Sequence, residues 1–287
     1  MPRTITKLYG LTRRTRTAAI NASILPKMLN TANSTEESVR KAGVEVPLMI
    51  MRGDGGVMEI NEMKKRPVLT MLSGPAASVM GSLMYLRASN GVYFEVGGTT
   101  TNIGVIKNGR PAIDYSVVGG HRTYISSLDV RVLGVAGGSM IRVNKSGVHD
   151  VGPRSAHIAG LDYAVFTDEE EIVEPRLEFF SPKEGDPEDY VAIRLKSGKR
   201  ITITNSCAAN VLGLVTPKDF SYGSVNSARK AMQPIADYLN TTVEDVASQI
   251  LTRAYEKIEP IIMELADKYR LEHDQISLVA WAAAPHP

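Results

Sequence analysis

One short run, Phe94-Glu95-Val96-Gly97-Gly98-Thr99-Thr100-Thr101-Asn102, gathers the groups that handle phosphate: an acid at a strand end, a glycine pair and three hydroxyls. Glycines let backbone N–H groups approach an anion closely. Threonine hydroxyls add donors, and a carboxylate can hold magnesium or orient a water. A bare glycine pair would serve equally in an ordinary hairpin turn. The combination of acid, glycines and threonine run is what points to a phosphate loop.

Other reactive residues give weaker signals. His121 and Arg122 follow Gly119-Gly120 and are candidates for a substrate or interface contact, although lone histidines are more often structural or solvated. His149 and His157 have no companion at ligand spacing, so no metal site is expected of them. Cys207 follows an apolar strand with no basic neighbour in sequence, which reads as a buried inert thiol. Ser73-Gly74-Pro75 opens a helix whose first N–H groups can face an anion, and capping alone explains the serine.

The elements that must position these groups alternate between helix and strand. Apolar spacing predicts a helix over Thr15 to Leu29, bent or broken near Pro26, and a second helical stretch from Thr35 to Lys41. A short strand, Pro47 to Met51, ends at the Asp54-Gly55-Gly56 turn, and a helix runs from Ser73 through Leu86. Strands Val92 to Val96 and Asn102 to Ile106 flank the glycine–threonine loop. Asn108-Gly109 makes the next turn, Ile113 to Tyr124 continues that sheet, and the glycine-rich stretch Leu128 to Met140 leads into a helix or a further strand. Phe166 to Tyr190 is polar and proline-bearing, as an exposed insertion would be, and Tyr190 to Leu195 with Arg200 to Thr204 alternates like a surface hairpin. An amphipathic helix follows over Ser224 to Leu239. Thr241 with Glu244 reads as the capping box of another, kinked at Pro260, before a strand from Ile276 to Trp281. The expected organisation is an α/β core with the phosphate hairpin over 1–165, an exposed insertion and hairpin over 166–205, and a helical C-terminal portion completing the core over 206–287.

At 287 residues, 43% hydrophobic and 22% charged, the chain can bury a sizeable core. A net charge of +2 supplies no field that would recruit nucleic acid or a membrane surface. No apolar run approaches the ~18 residues of a spanning helix, and Arg13, Arg14 and Arg16 run into an amphipathic helix without a processing site. A cytoplasmic location is expected, in keeping with a single cysteine.

The segment from Glu95 to Asn102 resembles the acid-x-Gly-Gly-Thr-Thr-Thr-Asp hairpin of the hydantoinase A and 5-oxoprolinase family, which is related to actin and the sugar kinases. Further segments match that family in order: Leu11 to Asn21, Leu48 to Gly56, Leu72 to Ala77, Gly119 to Thr123, Asp129 to Ser139 and Val151 to Ser155. The resemblance implies an α/β fold of the actin-like, ribonuclease H-like type, with a mixed sheet and flanking helices. It implies ATP and magnesium as cofactors, with Gly97, Gly98, Thr99, Thr100 and Thr101 cradling phosphate and Gly134, Gly137, Gly138 and Ser139 beside the phosphates or ribose. Close packing of a helix on the sheet would explain the second glycine set equally well. Glu95 and Asn102 would be the catalytic pair, with Glu95 toward the metal. Each stands where the family usually has aspartate. Glutamate lengthens the arm and asparagine removes a charge, so both the metal geometry and the local field differ from the family's.

What the resemblance implies for function is ATP-dependent opening of a small cyclic amide such as a hydantoin or 5-oxoproline. The partner would be an N-terminal half-domain or a B-type subunit, or a second copy in a homodimer. A non-catalytic assembly module, or a small-molecule kinase or acetone-carboxylase-like subunit, are the competing expectations. Relatives carry an earlier phosphate loop and continue beyond the last strand, so the chain reads as truncated at both ends and inactive alone. One base inserted after the codon of Val279 lets Ala280-Trp-Ala-Ala-Ala-Pro285 be read as Gly-Val-Gly-Gly-Gly-Ala, like the family's adenosine loop, so a frameshift is expected there.

Overall fold

A computed structural model describes residues 5–6, 8–86, 90–272 and 277–282. The five residues after Ala282, which hold part of the sequence behind the frameshift expectation, lie outside them.

The chain opens with α1, Leu11–Lys41, and Pro26 sits inside it. The break expected at Pro26 does not occur, and the stretch from Thr35 is the same helix. Packing on both sides of the proline explains this. Thr17 and Asn21 are buried before it, and Asn21 Oδ1 accepts from the Val68 N–H at 3.2 Å. Met28 and Ala32 join a core with Met58, Ile60 and Met63 after it. Tertiary contacts of this kind supply most helical stability, enough to absorb one lost backbone bond.

Next come the hairpin β1 (Met49–Met51) and β2 (Val57–Glu59), then α2 (Ile60–Lys65) and α3 (Ser73–Leu86). Ser73 is the first residue of α3 itself. The Leu72 carbonyl takes the first helical bond, from Ala76 at 3.0 Å, so the capping role read for Ser73 falls to its neighbour's position. Strands β3 (Gly91–Val96) and β4 (Thr101–Lys107) follow as expected, and a short β5 (Arg110–Pro111) is added beyond the turn, where Asn108 and Gly109 are both at positive φ. β6 (Ile113–Val118) and β7 (His121–Leu128) form a two-stranded sheet of their own, where a continuation of the first sheet was expected. Gly119 and Gly120, at φ 56° and 75°, make the tight turn that pairs these strands with each other.

Then come β8 (Arg131–Leu133), β9 (Ser139–Asn144), β10 (Gly147–Ser155), α4 (Ala156–Ala159), β11 (Asp162–Tyr163), β12 (Arg176–Phe180), β13 (Tyr190–Arg194) and β14 (Arg200–Thr202). After these the chain is helical in α5 (Asn205–Val211), α6 (Val225–Leu239) and α7 (Val243–Tyr269), and ends its described course in β15 (Ser277–Ala282). One sheet has the order β15-β3-β4-β5 with β8 also on β4, and another the order β10-β9-β13-β14-β11 with β12 also on β13. The box that caps α7 is Thr242 with Asp245, one residue later than expected: Asp245 N–H donates to Thr242 Oγ1 at 3.1 Å and Thr242 N–H to Asp245 Oδ2 at 3.4 Å.

Two compact units make up the chain. One comprises Met1–Tyr93, Gly104–Arg131 and Leu265–Val279, the other Phe94–Ile103, Val132–Glu264 and Ala280–Pro287. In the second unit the β13–β14 hairpin is not at the surface. Tyr190, Val191, Ala192 and Ile193 are buried, among a core that includes Ile201, Ala231, Ile235, Val246 and Ile250. Tyr-Val-Ala-Ile is a continuous apolar run, the mark of a strand covered on both faces. The preceding stretch, read as an insertion, is tied in as well: Ile172 is buried and β12 pairs along the whole of β13.

Candidate functional site

The glycine–threonine loop of residues 97–101 lies in the second unit. β3 and β4 lead into a loop closed by the Gly97 N–H donating to the Thr100 carbonyl at 3.0 Å. A second clasp holds the loop from outside. Gly137 and Gly138 donate their N–H groups to the carbonyls of Gly97 and Gly98 at 3.0 and 2.8 Å. Thr101 Oγ1 donates to the Val135 carbonyl. The stretch that makes the clasp is itself anchored. Asn205 Nδ2 donates to the Ala136 carbonyl at 2.8 Å, Ser206 N–H to Gly137 at 2.8 Å, Ala156 N–H to Gly138 at 2.9 Å, and the Ser139 hydroxyl accepts from Ala136 N–H at 2.8 Å.

The structure thus gives the second glycine set a definite task. An added Cβ on Gly138 would stand 1.8 Å from the Tyr163 hydroxyl and 2.6 Å from the Gly98 carbonyl, and one on Gly134 would meet Pro153 at 2.6 Å. These glycines allow close approach, and the N–H groups of Gly137 and Gly138 are spent on the first hairpin. What remains for an anion is the hairpin's own tip. Among the described residues the N–H groups of Gly98, Thr99 and Thr100 are given no acceptor, and Gly98 is exposed. Thr99 Oγ1 lies 3.3 Å from Ser155 Oγ, while the Thr100 hydroxyl adds a further donor. Successive N–H groups in such a turn form an anion-binding concavity.

Glu95 and Asn102 face one another across the strands, with Asn102 Nδ2 donating to Glu95 Oε2 at 3.1 Å. The amide holds the carboxylate without adding charge. An aspartate at 102 would set two carboxylates side by side. Side chains alternate along a strand, and Val96 and Thr101 line a cavity that Glu95 and Asn102 do not, so the acid–amide pair occupies the opposite face of the hairpin. No cluster of three or more His, Cys, Asp or Glu is present among the described residues. Magnesium does not require one, since one or two carboxylates with the phosphates of a nucleotide suffice. The donor set therefore fits a phosphate at the tip and one metal contact at Glu95.

The cavity on the other face measures about 650 Å³ and is bordered by Gly97, Gly98, Gly137 and Gly138. Tyr163 and Phe166 stack along one side with ring centroids 5.6 Å apart, and Lys218 and Asn205 also line it. Burial pushes the Tyr163 hydroxyl's pKa up, which keeps it neutral. Sequence reading missed both Tyr163 and Asn205. Asn205 follows an apolar strand as Glu95 ends one, but nothing local marks it.

His121 and Arg122 belong to the first unit, exposed at the β6–β7 turn. Arg122 lines a cavity of about 460 Å³ with Asp114, Asp129 and Lys268. His149 donates or accepts at 2.8 Å with Asp189, which also holds Arg142, and His157 is exposed. Cys207 is fully buried, and that burial raises its pKa, as an inert thiol requires.

Two solved structures share the fold. One is nucleotide-free acetone carboxylase, described as carrying out ATP-dependent acetone carboxylation, with a TM-score of 0.67 at 18% identity over 96% of this chain and 36% of that one. The other is the ATP-dependent caprolactamase of Pseudomonas jessenii, with a TM-score of 0.66 at 20% identity over 99% of this chain and 38% of that one. The class is an α/β fold of the actin-like type, a mixed sheet with flanking helices. Within that class the sequence of residues 14–285 matches the hydantoinase/oxoprolinase family, and the chain belongs to it. Curated relatives include the gamma subunit of acetophenone carboxylase from Aromatoleum aromaticum, 29% identical over 54% of this chain and 22% of the relative. The alpha subunit of the Pseudomonas jessenii caprolactamase is 29% identical over 50% of this chain and 21% of the relative. The matched stretch spans under a quarter of either curated relative. No helix among the described residues is long and apolar enough to cross a membrane.

Proposed function

We infer that this chain contributes the phosphate-gripping part of an ATP site in a subunit that opens a small cyclic amide, such as a hydantoin or 5-oxoproline. The observation that carries the reading is the set of uncommitted N–H groups at Gly98, Thr99 and Thr100, held open by the clasp from Gly137 and Gly138. Magnesium-ATP, when bound, supplies a phosphoryl group that turns a poor amide carbonyl into an electrophile.

The chain's own residues do the rest. The tip amides and the Thr100 hydroxyl bind and orient phosphate oxygens, spreading negative charge over donors that need no reorganisation. Glu95 holds the metal or orients a water, and Asn102 fixes the Glu95 carboxylate through its 3.1 Å bond. The clasp keeps the tip rigid, so binding spends little on ordering the loop. The remaining half of the cleft, and the substrate-bearing partner, would come from an N-terminal half-domain or a B-type subunit. The acetophenone carboxylase and caprolactamase relatives are themselves named as subunits. His121 and Arg122 stand as candidates for a partner or substrate contact.

A second reading has its own observation. The acetophenone carboxylase and caprolactamase relatives are equally similar at 29%, so a carboxylase-type reaction uses the same site as readily. Calorimetry with magnesium-ATP, on the chain alone and joined to an N-terminal half, tests nucleotide binding. Turnover of nucleotide with hydantoin, caprolactam or acetone separates the reactions. Binding of magnesium-ATP that weakens roughly tenfold in Thr100→Val is expected. No nucleotide binding in either form would overturn the reading.

A further inference from the structure

In the second unit every arginine has a carboxylate partner, from Arg142 with Asp150 and Asp189 to Arg253 with Glu256. The first unit does not follow that rule. Among the described residues Arg13, Arg14 and Arg16 of α1 and Arg122 of β7 form no ion pair. They are gathered together. Arg16 Nη1 donates to the Arg122 carbonyl at 3.3 Å, and the Arg13 guanidinium lies 5.6 Å from the centre of the Tyr124 ring, two residues further along β7. Arg13, Arg14 and Arg16 also sit in the opening turns of α1, whose first turn holds no acid. Like charges placed there repel one another and oppose the helix dipole, a burden that a bound anionic group relieves.

An apolar strip runs beside these arginines. Ile113, Tyr115 and Val117 alternate along β6 on one face, and all three are exposed. Val117 is paired in register with Arg122, and the Tyr115 and Tyr124 rings meet edge to face at 5.7 Å, so strip and arginines form one continuous surface. Tyr9, whose carbonyl accepts from the Tyr124 hydroxyl, stands 93% exposed at its border. Tyrosine and arginine beside apolar side chains, with no lysine among them, is the composition of protein–protein contact surfaces. We propose that this face docks an acidic segment of a partner polypeptide, with its apolar side chains on the β6 strip and its carboxylates on Arg13, Arg16 and Arg122. The planar guanidinium matches a carboxylate with two parallel bonds. Charge and shape both disfavour nucleic acid: a chain of net charge +2 has no extended field to follow a phosphate backbone, and Ile113 and Val117 give bases no ring to stack on. This deepens the partner contact read above for Arg122 and is independent of nucleotide binding.

Fluorescence anisotropy on the full chain, without nucleotide, compares an alternating Glu-Leu peptide with its Glu-Ser and Lys-Leu counterparts and with a single-stranded oligonucleotide. The Glu-Leu peptide is expected to bind roughly tenfold or more tightly than each of the others, and to weaken as salt rises. Arg16→Glu lowers that binding roughly tenfold while leaving the melting temperature unchanged or higher, since it removes a like charge beside Arg122; an arginine kept only for the fold would lower it. Val117→Asp, at an exposed position, loses binding to a similar extent with melting unchanged. Tightest binding by the oligonucleotide overturns the proposal, as does Glu-Ser binding within about twofold of Glu-Leu. A fall in melting temperature in Arg16→Glu overturns it too, and so does silence from every probe. Magnesium-ATP binding is read separately by calorimetry, so failure of the docking face leaves the nucleotide reading standing, and the reverse.

Discussion

At Glu95 and Asn102 a single amide decides the local charge. With asparagine at 102 the pair carries one negative charge and an internal bond of 3.1 Å. Asn102→Asp replaces that donor with a second carboxylate, which repels the first and invites a divalent cation between them. The variant is expected to melt at lower temperature than the parent in chelator and to recover on addition of magnesium, with manganese affinity at least tenfold higher by titration. Unchanged melting and metal affinity would show that the pair is not poised toward a metal. Gly138 supplies the opposite kind of constraint. A methyl group there meets the Tyr163 hydroxyl at 1.8 Å and the Gly98 carbonyl at 2.6 Å, so Gly138→Ala is expected to cost about 1–3 kcal/mol in denaturant unfolding and to weaken phosphate binding by loosening the clasp. The Glu95 to Asn102 run stands out in the sequence because its groups lie in consecutive residues. Asn205 does not, because its place in the clasp comes from a bond to Ala136, 69 positions away.

Among the elements, β13 separates local pattern from tertiary fact. Its alternation of Tyr190, Ala192 and Arg194 with Val191 and Ile193 suggested a half-exposed hairpin, yet the first four residues are buried. The strand is paired on both edges, by β12 and by β9 and β14, and the signal of its cover was the unbroken apolar run Tyr190 to Ile193, which outweighs the alternation. Ile193→Ala is expected to destabilise by about 2–5 kcal/mol, measured as a shift of the urea midpoint at constant slope, whereas a true surface hairpin would lose under 1 kcal/mol. Helix α1 shows the same limit in the other direction, since Pro26 marks a break that packing by Met28 and Ala32 overrides. The turn at Asn108-Gly109 was legible because positive φ is itself a sequence requirement, whereas the one at Gly119-Gly120 fell inside a stretch read as a single continuation of the sheet. The separate two-stranded sheet of β6 and β7 was missed with that second turn.

For the whole molecule, the division into two units cuts across the order of the chain, with Leu265–Val279 returning to the unit that holds the N-terminus. A reading by consecutive segments has no access to such a return. It matters for stability in alkali. Within the first unit Asp129 accepts from Lys268, Tyr269 and Arg131. Burial alone would raise the Asp129 pKa, but those bonds together hold it below the usual carboxylate range. Burial, then the bond to Asp129, pushes Tyr269 up to about 12. Lys268 moves upward too: burial opposes the shift, and the bonds to Asp129 and Asp114 outweigh it. A folded-state pKa above the unfolded value means the native form holds its proton longer. The stability from these two groups is therefore complete below about pH 10 and declines as pH rises through their folded pKa values. Melting followed from pH 9 to 12 is expected to fall over that window in the parent, and more shallowly in Tyr269→Phe. Equal slopes would show that the Asp129 cluster does not govern the decline.

Cys207 turns the second unit's core into its own clock. It is the sole sulfhydryl in the sequence and is fully buried beside Ala208, Ala231 and Ile235. A maleimide or disulfide reagent can reach it only when that core opens, so the rate of alkylation counts openings directly. Any ligand that settles into this unit will announce itself as slower labelling, with no need for a dye or an engineered reporter.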